Sequence, residues 1–263
     1  MDNIIEINNL CFNYKDKIVF DKFNLNIERG SFTTIIGEND SGKTTLVKIL
    51  TGILKYDGQI KINNLNLNKK EINEIRNFIG YVPSDISDSI LGDTVLDEIN
   101  LSNNKLTKEE FDKLIDTFEI KELLYRDPKT LSGGEKQLMS IVSQLVKKPK
   151  ILILDDAFSM ISNLTTDKIF KMLKKYYKEN NMTIVNVTNE VEETIYGTMI
   201  AIISNGKLIL NDKKENVLLN EKVFKNLHLS IPFMADLSIK LKYYNLINNL
   251  ELDMDKMVNK LWK

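Results

Sequence analysis

Phe32-Thr33-Thr34-Ile35-Ile36-Gly37-Glu38-Asn39-Asp40-Ser41-Gly42-Lys43-Thr44-Thr45-Leu46 passes from an apolar strand through a glycine-bearing loop into a helical pattern. Leu46, Ile49, Leu50 and Ile53 share one face, which predicts a helix over 43–53. Residues 37–44 fit the spacing GxxxxGK[ST], and strand before with helix after is the context in which that spacing has a mechanism. Backbone N–H groups and the positive helix end wrap phosphates. Gly37, Asn39, Asp40, Ser41, Gly42 and Thr45 are the candidate phosphate contacts. Lys43 adds a compact cation for β- and γ-phosphates, and Thr44 offers a hydroxyl to Mg²⁺. The segment binds a nucleotide.

Around it, residues 4–10, 23–27 and 59–62 read as short strands, the last after a turn signal at Asp57-Gly58. The stretch 84–148 is mostly helical, with Thr107 and Glu110 spaced as a capping box. Ile151-Leu152-Ile153-Leu154 is a continuously apolar run of the kind found in central parallel strands, and 183–187 repeats it after a helical pattern through Ile169, Met172, Leu173 and Tyr176. Strand and helix alternate, so the fold class is α/β. A hairpin is expected at 202–210 around Asn205-Gly206, then two helical pieces at 234–246 and 254–261. Asp155, closing the 151–154 strand, is the natural metal carboxylate. Leu131-Ser132-Gly133-Gly134-Glu135-Lys136-Gln137 starts another amphipathic helix, with Ser132 as its cap, and is a second helix end able to hold an anion.

Composition narrows the class. The 263 residues carry 36 Lys and Arg against 37 Asp and Glu, a formal charge of −1, which gives nucleic-acid binding no electrostatic support. Cys11 and His228 are the only residues of their kinds, so no disulfide framework and no Cys/His zinc site can form. No apolar run approaches the ~20 residues that span a bilayer, and the start lacks the pattern of a signal peptide.

The LSGGEKQ segment, standing between a phosphate loop and an ILILDD strand, resembles the signature of the ABC-transporter ATPases. The resemblance implies a P-loop NTPase core with an antiparallel β subdomain, a helical signature subdomain and a small C-terminal helical extension. The expected division is 1–226, with the helical part at about 84–148, and 227–263. It also implies ATP with Mg²⁺, and a head-to-tail dimer in which Ser132, Gly133 and Gly134 close over the nucleotide held by another subunit. Tyr14 matches the family's adenine-stacking aromatic. The tail, with Leu229-Ser230-Ile231-Pro232-Phe233 and a closing helix from Asp253 to Trp262, is similar to that of the ATPases in energy-coupling factor (ECF) importers. Those work with a transmembrane scaffold and a substrate-capturing membrane protein for vitamins or transition-metal ions, at the cytoplasmic face of the membrane.

Five positions depart from that pattern. Ser84 stands where the family has a metal-ligating Gln, Asp156 where it has the general-base Glu, and Asn189 where it has the switch His. Ser162 replaces the D-loop aspartate, and Asp40 the central loop glycine. An aspartate retracts the base by about 1 Å, a misplacement that can cost on the order of 10²-fold. Asn189 can donate a hydrogen bond but never a charge-assisted one. The expected protein binds MgATP, hydrolyses it poorly at its own site and completes the site of a different, intact ATPase in a heterodimer. An ABC exporter or drug-resistance ATPase, and a module that binds ATP without turnover, are the alternatives.

Overall fold

The computed structural model describes residues 2–102 and 105–261, so the expected helix end at Trp262 lies outside the described residues. Its strands are β1 (Asn3–Tyr14), β2 (Lys17–Glu28), β3 (Phe32–Ile36), β4 (Asp57–Ile62), β5 (Leu65–Asn66), β6 (Ile79–Pro83), β7 (Ile151–Asp155), β8 (Thr183–Thr188), β9 (Met199–Ser204) and β10 (Lys207–Lys213). The helices are α1 (Lys43–Leu50), α2 (Ile72–Arg76), α3 (Val95–Leu101), α4 (Lys108–Thr117), α5 (Gly133–Leu145), α6 (Asn163–Glu179), α7 (Lys214–Leu218), α8 (Glu221–Asn226), α9 (Phe233–Tyr243) and α10 (Met254–Leu261).

Two sheets result. One is antiparallel, in the order β2-β1-β4-β5. The other runs β10-β9-β3-β8-β7-β6, parallel except for β10. Every residue of β3, β7 and β8 is buried because both faces of the second sheet are covered. Ile153 and Val185 point to a core shared with the first sheet and α1. Leu152, Leu154 and Ile184 point the other way, to a core built with α5 and α6. The alternation hidden inside ILIL thus feeds two cores, and truncating fully buried Leu154 to alanine would cost about 2–5 kcal/mol.

Three helices start on capping boxes: Thr94 with Asp97, Thr107 with Glu110 as expected, and Ser132 with Glu135. The β9–β10 hairpin turns at Asn205 and Gly206, both at positive φ, as its sequence predicts. In the expected C-terminal extension, Ala235 of α9 packs in one cluster with Ile36, Ile200, Ile202, Val217, Leu218 and Phe224, while Met234, Ile247 and Met257 form a small core beside it.

Two expectations are corrected. The helix expected over 43–53 stops at Leu50, where Gly52 takes φ 70 and its N–H bonds Ile49 O while Ile53 N–H bonds Lys48 O. This termination satisfies the last carbonyls and turns Ile53 outward, 61% exposed. Asp57-Gly58 is no turn but the start of β4, opposite an irregularity at Asn9. Gly58 sits at φ 114, and a Cβ there would lie 2.4 Å from Asn9 O, so glycine here serves close strand approach.

Candidate functional site

The loop between β3 and α1 is shaped by backbone that tolerates no side chain. A Cβ on Gly37 would stand 2.0 Å from Ile203 O, and Gly42 sits at φ 107. Gly206, at the β9–β10 tip, donates its N–H to Ser41 O at 3.0 Å. Lys43 is 6% exposed, and its Nζ donates to Gly37 O at 2.7 Å, Glu38 O at 2.9 Å and Ser41 Oγ at 3.3 Å. Burial pushes its pKa down, against the pull of Asp156 and Asp155. The helix that follows has no side-chain cap and no acid in its first turn, unlike α3, α4 and α5. Its leading N–H groups are left for an anion.

A cleft of about 530 Å³ opens over this loop. Tyr14, Asn39, Asp40, Ser41, Gly42, Lys43, Thr44, Thr45, Asp156 and Asn189 all line it, with Gly37 buried beneath. Tyr14, at the end of β1, is 44% exposed and braced edge-on by Phe12 at 4.8 Å, so one ring face is presented rather than packed away. Asp40 takes φ 62 and turns out of the loop toward Lys17 Nζ, 3.9 Å away. The carboxylate at the glycine position is thus exposed and faces a lysine that lines the same cleft. Lys17, Ile18, Val19 and Asn205 also line the cleft, and nothing in their spacing foretells it, since the β1–β2 turn and the β9–β10 tip reach the loop only through the fold.

Asp155 ends β7 at 8% exposure, and its Oδ2 accepts a hydrogen bond from Tyr81 Oη at 3.2 Å. Burial pushes its carboxyl up, while Tyr81, Lys48 and Lys43 draw it down. Burial and the neighbouring Asp155 raise the Tyr81 phenol to about 12, so it stays a donor. Asp156, at φ 49, anchors its N–H on Val187 O and accepts from Asn189 through both carboxylate oxygens. Ser84 is exposed just past β6 and does not line the cleft. Behind the switch segment lies buried Glu193, whose Oε2 accepts Asn186 Nδ2 at 2.7 Å. Among the described residues no group of three or more His, Cys, Asp and Glu side chains converges on a metal position. Asp155 does not itself line the cleft but lies near enough to Lys43 to act on its charge, and oxygen donors such as Thr44 and Asp155, supplemented by phosphates, fit Mg²⁺ rather than a metal needing a full protein cage.

Ser132, Gly133 and Gly134 line a different cleft, of about 750 Å³, with the loop Met160–Ser162 and Leu164. Ser132 Oγ donates to Glu135 Oε2 at 2.8 Å, and Arg126 holds the other oxygen of Glu135 at 3.2 Å. Ser162 caps α6 by accepting the N–H of Thr165. Met160 and Leu164 are 78% and 86% exposed beside the glycines. The two helix starts open into separate clefts, and they differ: that of α1 is bare, whereas that of α5 is closed by Ser132 and the Glu135 carboxylate.

The ABC transporter family model matches residues 20–159, a span that includes the phosphate loop, Ser132–Gly134 and Asp155-Asp156. The chain belongs to the ABC transporter family. The energy-coupling factor transporter ATP-binding protein EcfA1 of Mycoplasmopsis pulmonis is 32% identical, over 91% of this chain and 94% of that protein. The structure of cbiO1 from Clostridium perfringens, part of the ABC transporter complex cbiONQ, matches 90% of this chain and 99% of that chain at 29% identity and TM-score 0.77. A dimeric ATP-binding cassette, MJ0796, in a post-hydrolysis state with ADP and Pi, matches 80% of this chain and 98% of that one at 26% identity and TM-score 0.68. The α/β core with its antiparallel and helical subdomains is that of an ABC ATPase. Among the described residues no helix is long and apolar enough to cross a membrane.

Proposed function

We propose that this ABC ATPase is the ATP-binding subunit of an ECF-type importer, bound to the cytoplasmic face of the membrane through a transmembrane scaffold that works with a substrate-capturing protein. The single observation that carries ATP binding is the N-terminus of α1 beneath the Lys43 loop, which has neither a side-chain cap nor an acid in its first turn, whereas the other uncapped helices α2, α7, α8 and α9 each carry an acid there. The ECF names of relatives that match nearly the whole chain support the importer class. Tyr14 stacks on the base, residues 37–45 wrap the phosphates, and Lys43 moves its donors from two loop carbonyls and the Ser41 hydroxyl to phosphate oxygens. Thr44 and Asp155 would hold Mg²⁺, which when bound neutralises charge on the β- and γ-phosphates. The segment from about Ser84 to Leu101, in which Leu91 and Leu101 are exposed, receives the scaffold.

The own site turns over slowly. Asp156 is short for a general base and is held by an amide that carries no charge. Ser132, Gly133 and Gly134, in their separate cleft, complete the site of a second ATPase, so the working unit is a heterodimer. Equilibrium binding of labelled ATP tests the first step. Wild type should bind and Lys43→Ala should lose most affinity; equal binding by both would overturn the site. Co-purification of a second ATPase with an intact Glu and His tests the heterodimer, and an active homodimer would overturn it.

A further inference from the structure

We infer that Tyr81 is a positioning residue for Asp155, fixing which carboxylate oxygen faces the metal. The inference rests on the reading of Asp155 as the Mg²⁺ ligand. Tyr81 lies on β6 in register with Ile153 of β7, and its phenol crosses to the end of β7, where Oη donates to Asp155 Oδ2 at 3.2 Å. Among the described residues, Oδ1 of Asp155 accepts no protein hydrogen bond, so the two oxygens are unequal before any cation arrives. A carboxylate held by one oxygen presents the other in a defined direction, which is how a neighbour of a metal ligand tunes the site.

The strand that carries the phenol is itself clamped. β6 is the edge of its sheet, and α5 lies along it. Gln137 Nε2 donates to Pro83 O at 2.7 Å, and Tyr81 N–H donates to Gln144 Oε1 at 3.4 Å. Gly80 permits this approach, because a Cβ there would lie 3.1 Å from Gln144 Cβ. The phenol is thereby tied to the helix that begins at Ser132–Gly134, and Asp155 is linked through Tyr81 to the signature helix. With Ser84 exposed and outside the cleft, Tyr81 is the β6 side chain that reaches the metal carboxylate.

The test compares ATP affinity with Mn²⁺ and with EDTA in wild type, Tyr81→Phe and Asp155→Asn. Phenylalanine keeps the ring packing and deletes only the donor. Tyr81→Phe should shrink the metal-dependent gain in ATP affinity by roughly tenfold while leaving the EDTA value unchanged, which also shows that the variant is folded. An unchanged gain in Tyr81→Phe alongside a lost gain in Asp155→Asn would overturn the positioning role. An unchanged gain in Asp155→Asn would instead remove the metal assignment of Asp155, and the inference with it.

Discussion

Asn189 donates twice to Asp156, through its backbone N–H to Oδ1 at 3.2 Å and through its side-chain Nδ2 to Oδ2 at 3.3 Å. The acid expected to activate water is thus engaged at both oxygens by one neutral residue, on a loop pinned by Asp156 N–H to Val187 O at 2.8 Å. Asp156→Glu combined with Asn189→His should raise single-turnover cleavage at this site by roughly 10- to 100-fold, the scale of a base misplaced by about 1 Å. Quenched-flow measurement on the assembled complex checks it. No gain would mean that neither residue limits the step.

Asp40 occupies a left-handed backbone position with its carboxylate turned to Lys17. The exposed ion pair contributes little. Asp40→Gly should stabilise the protein by about 0.5–1 kcal/mol through relief of the backbone, and should tighten ATP binding by removing a negative charge at the rim. Thermal melting and an ATP titration decide; a clear loss in either would show that the Lys17 contact matters more than the backbone cost.

Ser132 both caps α5 and stands at the signature glycines. Ser132→Ala should cost about 1 kcal/mol of stability, read by urea unfolding. It should also slow hydrolysis by the assembled complex more than it weakens ATP binding to this chain alone. Equal effects on both would place Ser132 at the chain's own nucleotide.

Glu193 gives the fold a pH dependence. Burial, reinforced by Asp156 and Glu190 and opposed by hydrogen bonds from Asn186 and Thr188, raises its carboxyl to about 7 from an unfolded value of 4.5. Between those values the folded protein keeps a proton that the unfolded chain releases, so stability falls as pH rises through this window and levels off above it. The size is roughly 3 kcal/mol. Glu193→Gln should flatten this slope and be the more stable form at pH 8, as followed by melting temperature from pH 5 to pH 8. A wild-type curve as flat as the variant's would contradict it.

What was legible in the sequence was local. The phosphate loop from Gly37 to Thr44 needs a glycine at 42 for its φ, and the box at Thr107–Glu110 and the cap at Ser132 act within three residues, so spacing alone announces them. The Asn205-Gly206 hairpin is read in the same way. β1 and β2 run well beyond 4–10 and 23–27 because irregularities at Asn9 and Lys22, both at positive φ, interrupt their alternation. The helices α2, α7 and α8, of five or six residues, are too short to show a period. The contacts Lys17–Asp40, Tyr81–Asp155 and Asn186–Glu193 join separate elements or buried faces, and no spacing rule encodes them. Asp40 shows the limit most clearly, since residue type marks only a departure from glycine and the fold alone brings Lys17 to its carboxylate.

Two variants of this chain, each assembled with the partner ATPase, test the central claim most directly: Asp156→Ala, which removes its own base, and Ser132→Arg, which blocks the helix end offered to the partner. Steady-state ATP hydrolysis should fall less than about twofold in the first and more than about tenfold in the second. Collapse of activity in Asp156→Ala with near-normal rates in Ser132→Arg would contradict it.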